Sequence, residues 1–178
     1  KADGGTFDGN VTMAGTLAVT GNATFSGDII KSTAGTSNFA AGVNAGNSIQ
    51  SGGNQNVAVG DEAGTAISTG DGNIVIGFET GHDITTGSYN TLVGWKSGDK
   101  IDTGNSNTAI GDASLSADTK GSKSIAVGSN SLSQQNFTSA TDAHNVAVGW
   151  DAGGDVTTGI KNVFIGNHAG DSLTDADF

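Results

Sequence analysis

The sequence predicts an all-β protein: a trimeric parallel β-roll, or β-solenoid, of 17-residue coils, preceded by a short shaft like a triple-stranded β-helix. Three observations predict it. A five-residue phrase returns every 17 residues as NVAVG (56–60), NIVIG (73–77), NTLVG (90–94) and NTAIG (107–111), and continues as SIAVG, NVAVG and NVFIG. A degenerate copy, NFAAG, precedes them at 38–42, so the chain carries eight copies. Finally, Gly makes up 30 of 178 residues while Pro is absent, which fits a β-repeat better than collagen or a Pro-rich linker.

Each copy is read from its first residue, position 0. Position +4 is Gly in every copy, including Gly60, Gly77, Gly94, Gly111, Gly128, Gly149 and Gly166. Positions +1 and +3 are mostly Val, Ile or Thr, and their period of two puts them on one face of a short strand. That face is expected to point into the core. Gly at +4 ends the strand where the backbone needs positive φ or a close approach. Position +7 is always small and fits a tight corner. Position +11 is apolar in Ile49, Ile67, Ile84, Ile101, Val156 and Leu173, returning a second segment to the core, with Asp118 and Gln135 as exceptions. Position +8 is Gly except at Leu115 and Leu132. One copy is then one coil, and coils stack about 4.8 Å apart, the spacing of paired strands. A lone coil cannot bury its apolar face, whereas a stack can. The column at position 0 (Asn56, Asn73, Asn90, Asn107, Asn145 and Asn162, with Ser124 as its gap) is expected to form a structural ladder of stacked amides.

Two domains follow. Residues 1–37 hold a hexad shaft and a polar joint, and residues 38–178 hold the eight coils. In the shaft, Gly9, Gly15, Gly21 and Gly27 recur every six residues with apolar residues alternating between them. One chain supplies little more than a single turn of such hexads, too little to bury a core. Three chains, each supplying one side, would close every turn, which predicts a homotrimer. Spacing from 124 to 145 is 21, so four extra residues fall within 133–144 as a surface loop. The last copy ends as DSLTDADF without a cap, and further chain is expected beyond it.

Composition excludes several functions. The net charge of −11 and the absence of Arg disfavour nucleic acid and anionic membranes as partners. No apolar run approaches the roughly 18 residues of a spanning helix, so no membrane insertion is expected. Without Cys there are neither disulfides nor Cys-based metal sites. His82, His144 and His168 fall in different phases of the repeat and share no metal-ligand spacing. No cofactor, metal or enzymatic activity is expected. Candidate contacts are aromatic. Phe78, Trp95 and Trp150 follow the invariant Gly, Tyr89 sits before a strand, and Phe137 lies in the insertion, where exposure is expected. Aromatic rings offer broad contact with few rotors to freeze, so these five could take a receptor glycan or pack between subunits.

The NTAIG-type phrases followed by AG and TTG resemble the coils of trimeric β-roll heads in bacterial autotransporter adhesins. They are more similar still to the repeat regions of bacteriophage tail fibres, and GTLAVTGNATFSGD (15–28) resembles tail-fibre shaft segments. Adhesin coils are usually shorter than these and feed a heptad stalk. The resemblance implies a homotrimeric fibre segment on the virion that contacts a host-surface glycan or outer-membrane receptor and joins neighbouring fibre segments. It also implies a self-cleaving chaperone after Phe178. An adhesin head and a glycan-cleaving tailspike remain the alternatives.

Overall fold

A computed structural model describes residues 34–175, which form a parallel β-solenoid without helices. The hexads at 4–30 lie outside the described residues. Among the described residues ten short strands occur: β1 (Phe39–Ala41), β2 (Val57–Val59), β3 (Ile74–Ile76), β4 (Thr91–Val93), β5 (Thr108–Ile110), β6 (Gly121–Ser122), β7 (Ile125–Val127), β8 (Thr141–Asp142), β9 (Val146–Val148) and β10 (Val163–Ile165). Eight of them, one per coil, make a single parallel sheet in the order β1-β2-β3-β4-β5-β7-β9-β10. Register is constant along the stack: Val57 pairs with Ile74, Ile74 with Thr91, and Thr91 with Thr108. Each coil therefore lies directly over the last, and every sheet position becomes a column.

The core differs from the expectation in one respect. The residue buried in each strand is the one at +2: Ala58, Val75, Leu92, Ala109, Ala126, Ala147 and Phe164. The +1 and +3 residues share a face, as their period requires, but that face points outward. The interior is narrow, because each coil places its +11 side chain opposite the strand. Ile67, Ile84, Ile101 and Val156 are fully buried there. In every coil after the first, the two β-branched residues at +1 and +3 are displayed on the outside.

Glycine at +4 has two causes. Its φ lies between +123° and +139° in every coil, a region closed to side chains. In addition, a Cβ on Gly94 would sit 2.4 Å from the Gly111 carbonyl oxygen of the next coil. Left-handed residues also recur where glycine is dispensable. Position +6 is left-handed at Glu62, Glu79, Lys96, Ala113, Asn130, Asp151 and His168, with φ between 50° and 59°. The residue before position 0 is left-handed as well, as at Tyr89, Lys123 and Lys161. These tight corners cost roughly 1–2 kcal/mol per residue. They persist because the backbone is hydrogen-bonded from coil to coil on both sides of them.

Columns +8 and +11 compensate each other. A Cβ on Gly64, Gly81 or Gly98 would meet the Cδ1 of the Ile three residues later at 2.6–2.9 Å. Where +11 is polar, at Asp118 and Gln135, position +8 is a fully buried Leu, Leu115 and Leu132. The same volume is filled from the other side.

Asn side chains at position 0 close each coil and join it to its neighbour. Asn90 Nδ2 donates to the Gly104 carbonyl within its own coil (2.9 Å), while Asn90 Oδ1 accepts from the Asn107 amide of the next (3.0 Å). The pattern repeats at Asn56, Asn73 and Asn107. At the gap, Ser124, Gln135 takes over. Its Nε2 donates to Ser124 Oγ (3.1 Å) and Asp118 Oδ2 (2.6 Å), and its Oε1 accepts from Asn145 Nδ2 (2.7 Å). The insertion folds beside this network, with β8 pairing in parallel with β6 as a second, two-stranded sheet.

Candidate functional site

Position +5 follows the invariant Gly and forms a ridge along the solenoid. In chain order it reads Val43, Asp61, Phe78, Trp95, Asp112, Ser129, Trp150 and Asn167. The ridge is built of backbone contacts. Each +5 carbonyl accepts from the +6 amide of the next coil: Lys96 N–H to Phe78 O (3.0 Å), Ala113 N–H to Trp95 O (2.9 Å), Asn130 N–H to Asp112 O (2.9 Å) and His168 N–H to Trp150 O (2.9 Å). The left-handed turn at +6 supplies this bond and tips the +5 side chain outward. Phe78, Trp95 and Trp150 are accordingly 42%, 52% and 50% exposed.

Both indoles are held by a +6 residue. Lys96 Nζ lies 5.1 Å from the centroid of Trp95 and is itself fixed by Glu79 Oε2 at 2.8 Å. The His168 ring meets Trp150 edge-on at 4.3 Å, and His168 Nδ1 lies 3.1 Å from Asp171 Oδ2 and 3.4 Å from Asp151 Oδ2. A ring fixed on one side and open on the other loses little freedom when a ligand stacks on it.

The other two aromatic candidates stand apart. Tyr89, 66% exposed, precedes β4, at the opposite end of that strand from the ridge residue Trp95. Its ring covers Gly72, where a Cβ would sit 2.9 Å from Tyr89 Cδ1. Phe137 is only 6% exposed, contrary to the exposure expected from its place in the insertion. Its ring packs over Gly121, and its amide donates to Asp118 Oδ1 (3.3 Å). Phe137 thus anchors the loop, whose exposed tip is residues 138–140.

Stacking also brings together groups that are distant in sequence. His82, Asp83 and Asp99 lie with ligand atoms within 4.8 Å of one another, as do Asp151, His168 and Asp171. In the first cluster Lys100 Nζ already sits 3.0 Å from Asp83 and 3.4 Å from Asp99. Burial works to raise the pKa of Asp83, but hydrogen bonds from His82 and Lys100 outweigh it and hold the carboxyl below its ordinary value. The repeat phase could have shown these clusters, since 82 and 99 are one period apart; 151 and 168 are too. Asp118, fully buried, has its pKa raised by burial, against the hydrogen bonds of Gln135, Gly121, Phe137 and Lys120.

On the outward sheet face, Ile74, Ile76, Ile110, Ile125 and Val148 are each 38–41% exposed and stand in register. Eight strands at about 4.8 Å make this apolar strip roughly 38 Å long. No protein-family model, curated protein or solved structure matches the chain.

Proposed function

We propose that the chain is a structural, receptor-binding segment of a phage tail fibre, working as a rigid homotrimeric rod that attaches to the host surface. The observation that carries this reading is the strip of +1 and +3 side chains. Monomeric soluble proteins rarely leave an apolar patch of several hundred Å² uncovered. A strip this straight, with Val, Ile or Thr at +1 and +3 from β2 to β10, fits another copy of itself. Three strips meeting about a common axis cover one another, in keeping with the homotrimer expected from the hexads. The rod then presents three identical ridges, and weak contacts on each gain avidity through effective concentration. The chain's role in this reading is binding and not catalysis.

Light scattering tests the assembly. The full chain should show three times the 17.5 kDa protomer mass. Ile76→Lys and Ile110→Lys together should lower that mass, because a charge buried without a partner is costly. A wild-type protomer mass overturns the homotrimer. Fluorescently labelled chain should decorate the cells of at least some strains in a bacterial panel, and failure on all of them overturns the attachment role.

A further inference from the structure

From the +5 ridge we infer that the ligand is a linear, neutral or amino-sugar polysaccharide lying along the solenoid, bridging Trp95 and Trp150. This inference rests on the attachment reading and names the chemistry that the ridge takes.

Four features carry it. The first is spacing. Trp95 and Trp150 occupy one column three coils apart, about 14 Å at one strand spacing per coil. One pyranose of an extended chain advances about as far as one coil, so three or four sugars span the two indoles. The second is what lies between them. Asp112 and Ser129 fill the intervening levels, and the Asp112 carboxylate and Ser129 hydroxyl make no hydrogen bond within the described residues. They stand where the hydroxyl rim of a stacked sugar would need partners. An aromatic, acceptor, hydroxyl, aromatic order suits a molecule with apolar ring faces and polar edges. It suits a protein hydrophobic segment poorly, because each aromatic station is interrupted. The third is preorganisation: Lys96 and His168 hold the two indoles, and coil-to-coil bonds fix the backbone beneath them. The fourth is charge. Asp61, Glu62, Glu79, Asp112 and Asp151 line positions +5 and +6, on a chain of net charge −11. A polyanionic polysaccharide would be repelled, whereas neutral or amino sugars are not.

Length dependence is the test. The full chain is titrated with linear oligosaccharides of two to eight units, in neutral-hexose and amino-sugar series, with a uronic-acid series as the anionic comparison. Trp95 and Trp150 are the only tryptophans, so intrinsic fluorescence reports both stations. Affinity in at least one neutral or amino-sugar series should rise tenfold or more between two units and five. Trp95→Ala and Trp150→Ala should each remove most of that rise, and Trp→Phe at either position should restore part of it. Unchanged thermal melting shows that these exposed variants remain folded. The inference is overturned if two units bind as tightly as eight, if Trp150→Ala has no effect, if the uronic series binds best, or if no series binds. Cell decoration is scored in parallel. Cells still decorated by a chain that binds no oligosaccharide leave attachment standing without the ridge; oligosaccharide binding without decoration does the reverse.

Discussion

Replacing Gly94 by Ala separates the two reasons for the glycine column. The backbone there has φ +137°, and forcing a side chain into that region costs about 1–3 kcal/mol. The added Cβ would also lie 2.4 Å from the carbonyl oxygen of Gly111 and 2.7 Å from its carbon. Relief requires moving two coils apart against the hydrogen bonds Gly111 N–H to Val93 O and Ala113 N–H to Trp95 O, both 2.9 Å. Overpacking of that kind costs a further 1–3 kcal/mol or so, giving a total of about 2–6 kcal/mol per chain. Gly166 is the internal control. Its φ is +123°, yet a Cβ there would meet nothing within 4 Å among the described residues. Gly166→Ala should therefore lose only the conformational part, about 1–3 kcal/mol. Urea unfolding at matched protein concentration measures both, since assembly makes stability concentration-dependent. Equal losses at the two positions would show that coil contact plays no part. No loss at Gly94 would refute both terms.

Two further outcomes are expected. Asn90→Ala leaves the Gly104 carbonyl and the Asn107 amide without their buried partners, at about 1–3 kcal/mol each, and urea unfolding at an unchanged midpoint would show the ladder to be dispensable. Asp118 has a folded pKa above its unfolded one, so its contribution to stability is full below the unfolded value of about 3.9 and is lost as pH rises through the raised value. Asp118→Asn should flatten that part of the stability–pH curve, and an unaltered slope would place the dependence elsewhere.

Much of this fold was legible because the repeat averages over eight samples of one coil. The period, the Gly at +4 and the Asn at 0 are visible in almost every copy, and backbone geometry requires the first two. The direction of the strand was not legible from the apolar content of +1 and +3. The deciding signal was the neighbouring column: position +2 is Ala, Val, Leu or Phe in every copy and never polar, whereas +1 admits Thr91 and Thr108. The left-handed corners at +6 left little trace, because Glu62, Lys96 and His168 tolerate that conformation without announcing it. The columns at +8 and +11 break in the same two coils, and reading them jointly would have shown Leu115 and Leu132 filling the space vacated by Asp118 and Gln135. Three of the five aromatic candidates, Phe78, Trp95 and Trp150, share a column and so a ridge. Phe137 lies in an insertion yet is buried, because a loop also needs an anchor.

The clasp formed by Gln135 has a use of its own. It carries the continuity of the amide ladder past Ser124 through side chains that lie wholly on the core side of the excursion. The tip at 138–140 is exposed, beyond both Phe137 and β8, so its length does not enter the bonds that join these two coils. Foreign peptide could be grafted there and displayed from a stiff scaffold without the stack below registering the change.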